Sequence, residues 1–185
     1  APGTLWSNST NATVLTDLRT WYDRYVATNG EAPGALATST AVKRLMQRNK
    51  EVIDAVHGST AGKTMVTDVE LNQILGEFNL PGVVTVDGQT AVNGVATRYL
   101  NEDVLLLLPA AVEESNFDGT DLGATLWGTT AEAADGEFGI EDSELPGIVA
   151  GVYSSNDPKG YWTLASAIGL PVLANPNLSL AADVK

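Results

Sequence analysis

Few residues in this sequence could do chemistry, and none stands at the spacing that chemistry requires. The run Gly58-Ser59-Thr60-Ala61-Gly62-Lys63-Thr64 has the glycines, lysine and threonine of a loop that wraps phosphates with backbone amides. Only three residues separate its glycines where that loop needs four, and a helix rather than a strand is expected to lead into it. His57 is the single histidine, which excludes multi-histidine metal sites and leaves one imidazole for any triad. At the expected end of a helix, its plain role is to face the negative pole of that helix. Cysteine is absent, so disulfides, thiolate metal sites and thiol nucleophiles are excluded. No G-x-S-x-G elbow occurs to present a serine nucleophile. The acidic run "DGEFGIEDSELPG" lacks the ligand register of a calcium loop, and carboxylate pairs for glycoside hydrolysis cannot be recognised by spacing. No catalytic, cofactor-binding or metal-ligating residue is assigned, and no cofactor is expected.

What remains is surface chemistry. Lys43, Arg44, Arg48 and Lys50 gather basic charge on one short segment, whereas no basic residue lies between Arg98 and Lys159, a stretch that carries many Asp and Glu. Two solvated faces would explain this, as would charge complementarity between copies of the chain, which supplies orientation more than affinity. Of the four tryptophans, Trp6, Trp21, Trp127 and Trp162, the last two stand among glycines and acidic loops. They either pack internally or, with Tyr161, anchor contacts between subunits, since aromatic side chains dominate such contacts. Asn8-Ser9-Thr10, Asn11-Ala12-Thr13 and Asn177-Leu178-Ser179 match glycosylation sequons, and are read as caps and turns.

The elements that must position these residues follow from length and pattern. At 185 residues the chain can bury roughly 70% of its unfolded surface, enough for one domain or two lobes. A net charge of −13 argues against a phosphate-binding surface of the usual kind. The longest apolar run, "VLLLLPAAV", is too short to cross a bilayer. The start, "APGTLWSNST", has neither the basic region nor the apolar core of a signal peptide.

Helical spacing of Val14, Leu15, Leu18, Tyr22, Tyr25 and Val26 predicts a helix over 11–29, capped by Thr10 or Asn11 and stopped at Asn29-Gly30. "GEAPGA" then marks a lobe boundary. Val42, Leu45, Met46, Val52, Ile53 and Val56 predict one helix over 40–57, ended by Gly58. Thr67 and Glu70 form a capping box that opens a third helix, with Leu71, Ile74, Leu75 and Phe78 on its apolar face. Beyond "NLPG" the pattern becomes extended: "VVTV", "VATRYL" and "VLLLLP" read as strands, punctuated by Asp87-Gly88 and Asn93-Gly94, the last strand buried on both faces. "ATLWGTT" is a short extended piece between acidic loops. "GIVAGVY", "LPVLANPN" and "LSLAADV" read as closing strands, and "YWTLASAIG" as a short helix or a further strand.

In order along the chain, these segments resemble the C-terminal half to two thirds of tailed-bacteriophage major capsid proteins of the lambda head-protein type. "TDLRTWYDRYVATNGEAP" is similar to the family's spine helix and the break after it, and "LATSTAVKRLMQRNKEV" to the segment that follows. "RYLNEDVLLLLPAA", "LGATLWGTTAEA" and "DPKGYWTLASAIGLPVLANPN" resemble later blocks, the last two most specifically. The resemblance implies an α+β Hong Kong 97 fold, with a peripheral lobe over 1–32 and 146–185 (spine helix and returning strands) and an axial lobe over 33–145, helices packed on a mixed sheet. It implies a non-enzymatic virion protein that assembles, in the host cytoplasm, into the icosahedral shell around double-stranded DNA. Its partners would be copies of itself in pentameric and hexameric capsomers, with scaffolding or decoration proteins, non-specific DNA contact and no membrane. Lys43, Arg44, Arg48, Lys50, Trp127, Tyr161 and Trp162 are then the subunit-contact candidates. The family's N-terminal arm and extended loop have no counterpart here, so a truncated, proteolysed or partly ordered chain is expected. The alternatives by residue type alone are an acidic adhesion-type binding module and, behind it, an acid hydrolase with clustered carboxylates of raised pKa.

Overall fold

The computed structural model describes residues 1–60, 62–110, 122–131 and 147–185. It divides into two compact units, Ala1–Glu113 with Pro176–Lys185, and Glu114–Asn175.

In the first unit the chain opens with turns that bury Trp6 and Ala12, then enters helix α1, Val14–Asn29. The helix starts later than its pattern predicts, because Asn8 accepts the backbone N–H groups of Asn11 and Ala12 into a turn of its own. Thr13 occupies the cap position without a side-chain bond, correcting the expected Thr10 or Asn11 cap. Gly30 stops α1 as expected, at φ 78°, a left-handed conformation that costs glycine little. Val14, Leu15, Leu18 and Tyr25 are buried, and Trp21 joins them, its ring stacked at 5.7 Å on that of Trp6.

Strand β1, Ala35–Thr38, follows where a break was expected, and lies at the heart of a four-stranded sheet. The predicted long helix is two: α2, Thr40–Arg48, and α3, Lys50–His57, separated at Asn49. Asn49 is fully buried with extended backbone (φ −71°, ψ 133°). Its Oδ1 caps α3 by accepting from Val52 N, while its Nδ2 donates to the carbonyls of Ala12 at 2.8 Å and Ser9 at 3.3 Å. These distant bonds override a helical period that runs through the position. Helix α4, Asp68–Glu77, begins with the predicted capping box of Thr67 and Glu70.

The remaining strands of this unit are β2, Val83–Thr85; β3, Gln89–Val92; β4, Val95–Arg98; β5, Val104–Leu108; and β9, Leu180–Asp183, which the chain reaches after crossing the second unit. Sheet order is β2-β1-β5-β9, with β1 parallel to β2 and antiparallel to β5. Asn93-Gly94 turns the β3–β4 hairpin with both residues at positive φ (53° and 79°), as that dipeptide predicts. Asp87-Gly88 turns no hairpin, since β2 is spent on its parallel partner. Strand β5 is buried on one face only: Leu105 and Leu107 are fully covered, while Val104, Leu106 and Leu108 are half-buried.

One apolar core joins all of this, with Trp6, Leu18, Leu36, Val42, Met46, Val52, Leu71, Leu75, Leu105 and Val184 fully or almost fully buried. Burial of each large side chain favours folding by about 1.5–3 kcal/mol. Residues on both sides of position 32 lie in this core, and α1 and α2–α4 belong to one compact unit.

The second unit is built on β6, Gly123–Gly128; β7, Ile148–Asn156; and β8, Lys159–Leu173. "YWTLASAIG" is thus strand, and it runs on without a break through "LPVL" to form one 15-residue element instead of two. β8 pairs antiparallel with β7 over 159–167 and with β6 over 168–173.

Candidate functional site

Of the basic candidates, Lys43, Arg44 and Arg48 stand on α2 and Lys50 opens α3. Two are committed within the molecule. Lys43 Nζ lies 2.8 Å from Asp68 Oδ2, a carboxylate whose other oxygen accepts from the buried Gln47 at 2.7 Å. Lys50 pairs with Asp54 one turn along α3. Arg44 and Arg48 are exposed, one helical turn apart, and make no ion pair among the described residues. A groove of about 330 Å³ beside α3 is lined by Arg48 and Lys50 and also by Ser9, Thr10, Gly58 and Lys63. Lys63 is therefore a third cation at that place, outside the basic segment picked out by charge.

Two carboxylates near these helices are held ionised by local geometry. Asp87 accepts the hydroxyl and the backbone N–H of Thr40 at the start of α2, which holds its carboxyl below the usual range. Glu70 accepts the Thr67 N–H and hydroxyl, each at 2.8 Å, with the same effect. His57 ends α3 as expected, its Nε2 3.7 Å from Glu70 Oε1. In each case the hydroxyl beside the carboxylate belongs to a helix start, and a carboxylate held below its usual range is a weak base. Among the described residues no group of three or more His, Cys, Asp or Glu could hold a metal, and no helix is long and apolar enough to cross a membrane.

The aromatic candidates lie in the second unit, all exposed: Trp127 at 43%, Tyr161 at 83% and Trp162 at 59%. Strand alternation splits them between two faces. Trp162 shares one face with Leu164, Ile168, Leu170 and Val172 of β8 and, through its partner Leu170, with Leu126 of β6. Tyr161 is on the other face, where the Trp127 ring covers Gly169: a Cβ there would meet its Cζ3 at 3.3 Å. Gly169 lies eight positions along β8 from Tyr161, roughly 27 Å, so the three aromatics form no single cluster. The exposed apolar row of β8 is a surface feature missed by the residue-type reading. Its signal was the alternation in "WTLASAIGLPVL" itself.

The second unit thus exposes an apolar sheet face, and the helices of the first carry exposed basic residues. A family model described as phage major capsid protein E matches residues 1–184. The chain belongs to that family. By its description, that family is one of phage major capsid proteins. The expected α+β class holds, with helices and sheets arranged as in solved phage proteins. A phage-related protein from Bordetella bronchiseptica RB50 matches with a TM-score of 0.62 at 13% identity, over 98% of this chain and 52% of that one. A protein assigned as the capsid protein of an Escherichia coli CFT073 prophage matches with a TM-score of 0.62 at 15% identity, over 99% of this chain and 51% of that one. The chain thus spans about half the length of these structures. No curated protein matches it.

Proposed function

We propose that this chain is part of the shell-forming subunit of a tailed-phage head, whose copies assemble as pentameric and hexameric capsomers around double-stranded DNA. The match to the phage major capsid protein E family over 1–184 carries this reading. It extends to a Hong Kong 97 plan, with a peripheral lobe over 1–32 and 146–185 and an axial lobe over 33–145, to assembly in the host cytoplasm, and to scaffolding or decoration partners. The work is geometric: many modest interfaces between identical subunits resist the pressure of the genome. With a net charge of −13 the chain repels DNA, so any contact with the packaged duplex is non-specific and weak.

Within this reading the contacts fall to the exposed residues. Arg44 and Arg48 meet acidic surface of a neighbouring copy, and Trp127, Tyr161 and Trp162 bury apolar area between copies. Arg44→Glu with Arg48→Glu tests the first point while leaving the Lys43–Asp68 and Lys50–Asp54 pairs intact. The double variant keeps its circular dichroism and loses assembly in light scattering. Unchanged assembly would refute the charge pairing.

A further inference from the structure

The 58–64 loop lacks the spacing of a nucleotide-binding motif, yet the fold brings its residues to a place that spacing could not show. Ser59, Lys63 and Thr64 line the groove beside α3 together with Ser9, Thr10 and Arg48. Ala61, between them in sequence, lies outside the described residues.

The frame of this groove is pinned by backbone bonds. Where the chain enters the loop, the Gly58 N–H donates to the Asp54 carbonyl at 2.9 Å, and after the loop the Val66 N–H donates to the Gln47 carbonyl at 3.0 Å. The Ser9 carbonyl accepts the Lys50 N–H at 2.8 Å and Nδ2 of the buried Asn49 at 3.3 Å. Three stretches distant in sequence are thus held around one space of about 330 Å³, a volume at the lower end for ligand pockets.

Its charge is not balanced by its own residues. Lys50 is paired with Asp54, the one carboxylate among the described lining residues, which leaves Arg48 and Lys63 without a counter-charge there. Glu70, whose carboxylate Lys63 also acts on, is spent on the Thr67 N–H and hydroxyl. Around the two cations stand the hydroxyls of Ser9, Thr10, Ser59 and Thr64, each able to turn its O–H toward an anion. A concave site lined by one sign of charge focuses the field and draws in the opposite sign. At physiological salt that field reaches about 8 Å, so a small ion in the groove feels Arg48 and Lys63. A nucleic-acid duplex laid across the surface meets the rest of a chain at −13 as well.

We infer that this groove binds a free oxyanion of phosphate size, with Arg48 and Lys63 supplying the charge and the four hydroxyls the further hydrogen bonds. A guanidinium meets a phosphate with two parallel N–H donors, and a lysine meets it as a point charge. An ion bound only by the folded chain ties the 9–10 turn, the end of α2 and the 58–64 loop together and stabilises them by mass action. The site does not rest on the capsid reading. Where copies meet through Arg48, the ion competes with the neighbour's carboxylates for the same guanidinium.

Amide chemical shifts of the dilute full chain, titrated with inorganic phosphate against chloride at matched ionic strength, test it. Amides of 9–10 and 58–64 shift and saturate in the millimolar range, and Arg48→Gln or Lys63→Gln each weakens binding on the order of tenfold. Lys63→Arg, which keeps the charge, binds like the wild type, and so does Arg24→Gln, which removes an exposed arginine of α1. Circular dichroism checks that each variant is folded. Shifts that never saturate, or an affinity that Arg48→Gln and Lys63→Gln leave unchanged, would overturn the site. Unmoved amides would overturn it too, because the chain's own carboxylates would then be filling the groove. A short DNA duplex that binds through the same two cations where phosphate does not would overturn the free ion in favour of a nucleic-acid backbone.

Discussion

Glu51, near the start of α3, accepts the backbone N–H of Leu15 at 2.7 Å and the hydroxyl of Thr16 at 2.6 Å, and so caps α1 from 36 residues away. Thr13, at the cap position itself, makes no side-chain bond, so the carboxylate takes its place at the positive pole of the helix. Replacing Glu51 by Ala leaves the Leu15 amide without its partner and costs about 1–2 kcal/mol. Glu51→Gln, which keeps an acceptor, costs less. Urea midpoints of the two variants check the order, and equal losses would show that the cap contributes nothing.

Asn49 carries more. It caps α3 and satisfies carbonyls of Ser9 and Ala12, all from a fully buried position. Asn49→Ala removes these bonds together and destabilises by about 2 kcal/mol or more. Asn49→Asp keeps the cap oxygen but cannot donate to the two carbonyls, so it should be no better. A denaturant series in which Asp restores wild-type stability would contradict this account of the break between α2 and α3.

Acid should loosen both helix starts. Bonds from Thr67 hold the Glu70 carboxyl below its ordinary range, and bonds from Thr40 do the same for Asp87. A carboxylate depressed in the folded state stabilises fully above its unfolded pKa, and that stability is lost as pH falls through the folded value. Stability therefore declines from about pH 4 downward, and the decline is shallower in Glu70→Gln and Asp87→Asn. Thermal midpoints followed from pH 6 to pH 2.5 would expose a failure if wild type and variants fell in parallel.

Close approach acts differently at Gly34 and Gly169. A Cβ on Gly34 would come within 2.2 Å of the Ala110 Cα, where the backbone entering β1 runs against the chain leaving β5. Gly34→Ala forces that backbone apart and costs about 2 kcal/mol or more. At Gly169 the obstacle is the Trp127 ring, a side chain that can swing away. Gly169→Val is therefore milder in stability and shifts Trp127 fluorescence to the red. An unshifted spectrum would mean that the ring does not lie over Gly169.

What could be read from residues alone was whatever local chemistry decides. The left-handed stop at Gly30, the Thr67–Glu70 capping box and the Asn93-Gly94 turn are each set by residues within a few positions of one another, and each stands where its pattern puts it. The misses were tertiary. Helical period continues through Asn49, and only carbonyls some 40 positions upstream break it. "ALAT" has no strand signature by itself and becomes β1 because β2 and β5 flank it. The charge of Lys43 and Lys50 was visible, whereas their commitment to Asp68 and Asp54 was not.

The central claim, that this chain serves in a self-assembling phage shell, is tested most directly by negative-stain electron microscopy of the purified gene product. The account predicts closed shells or capsomer rings of uniform size, reduced in the Arg44→Glu, Arg48→Glu variant. Dispersed monomers at every concentration, from a product that circular dichroism shows to be folded, would contradict it.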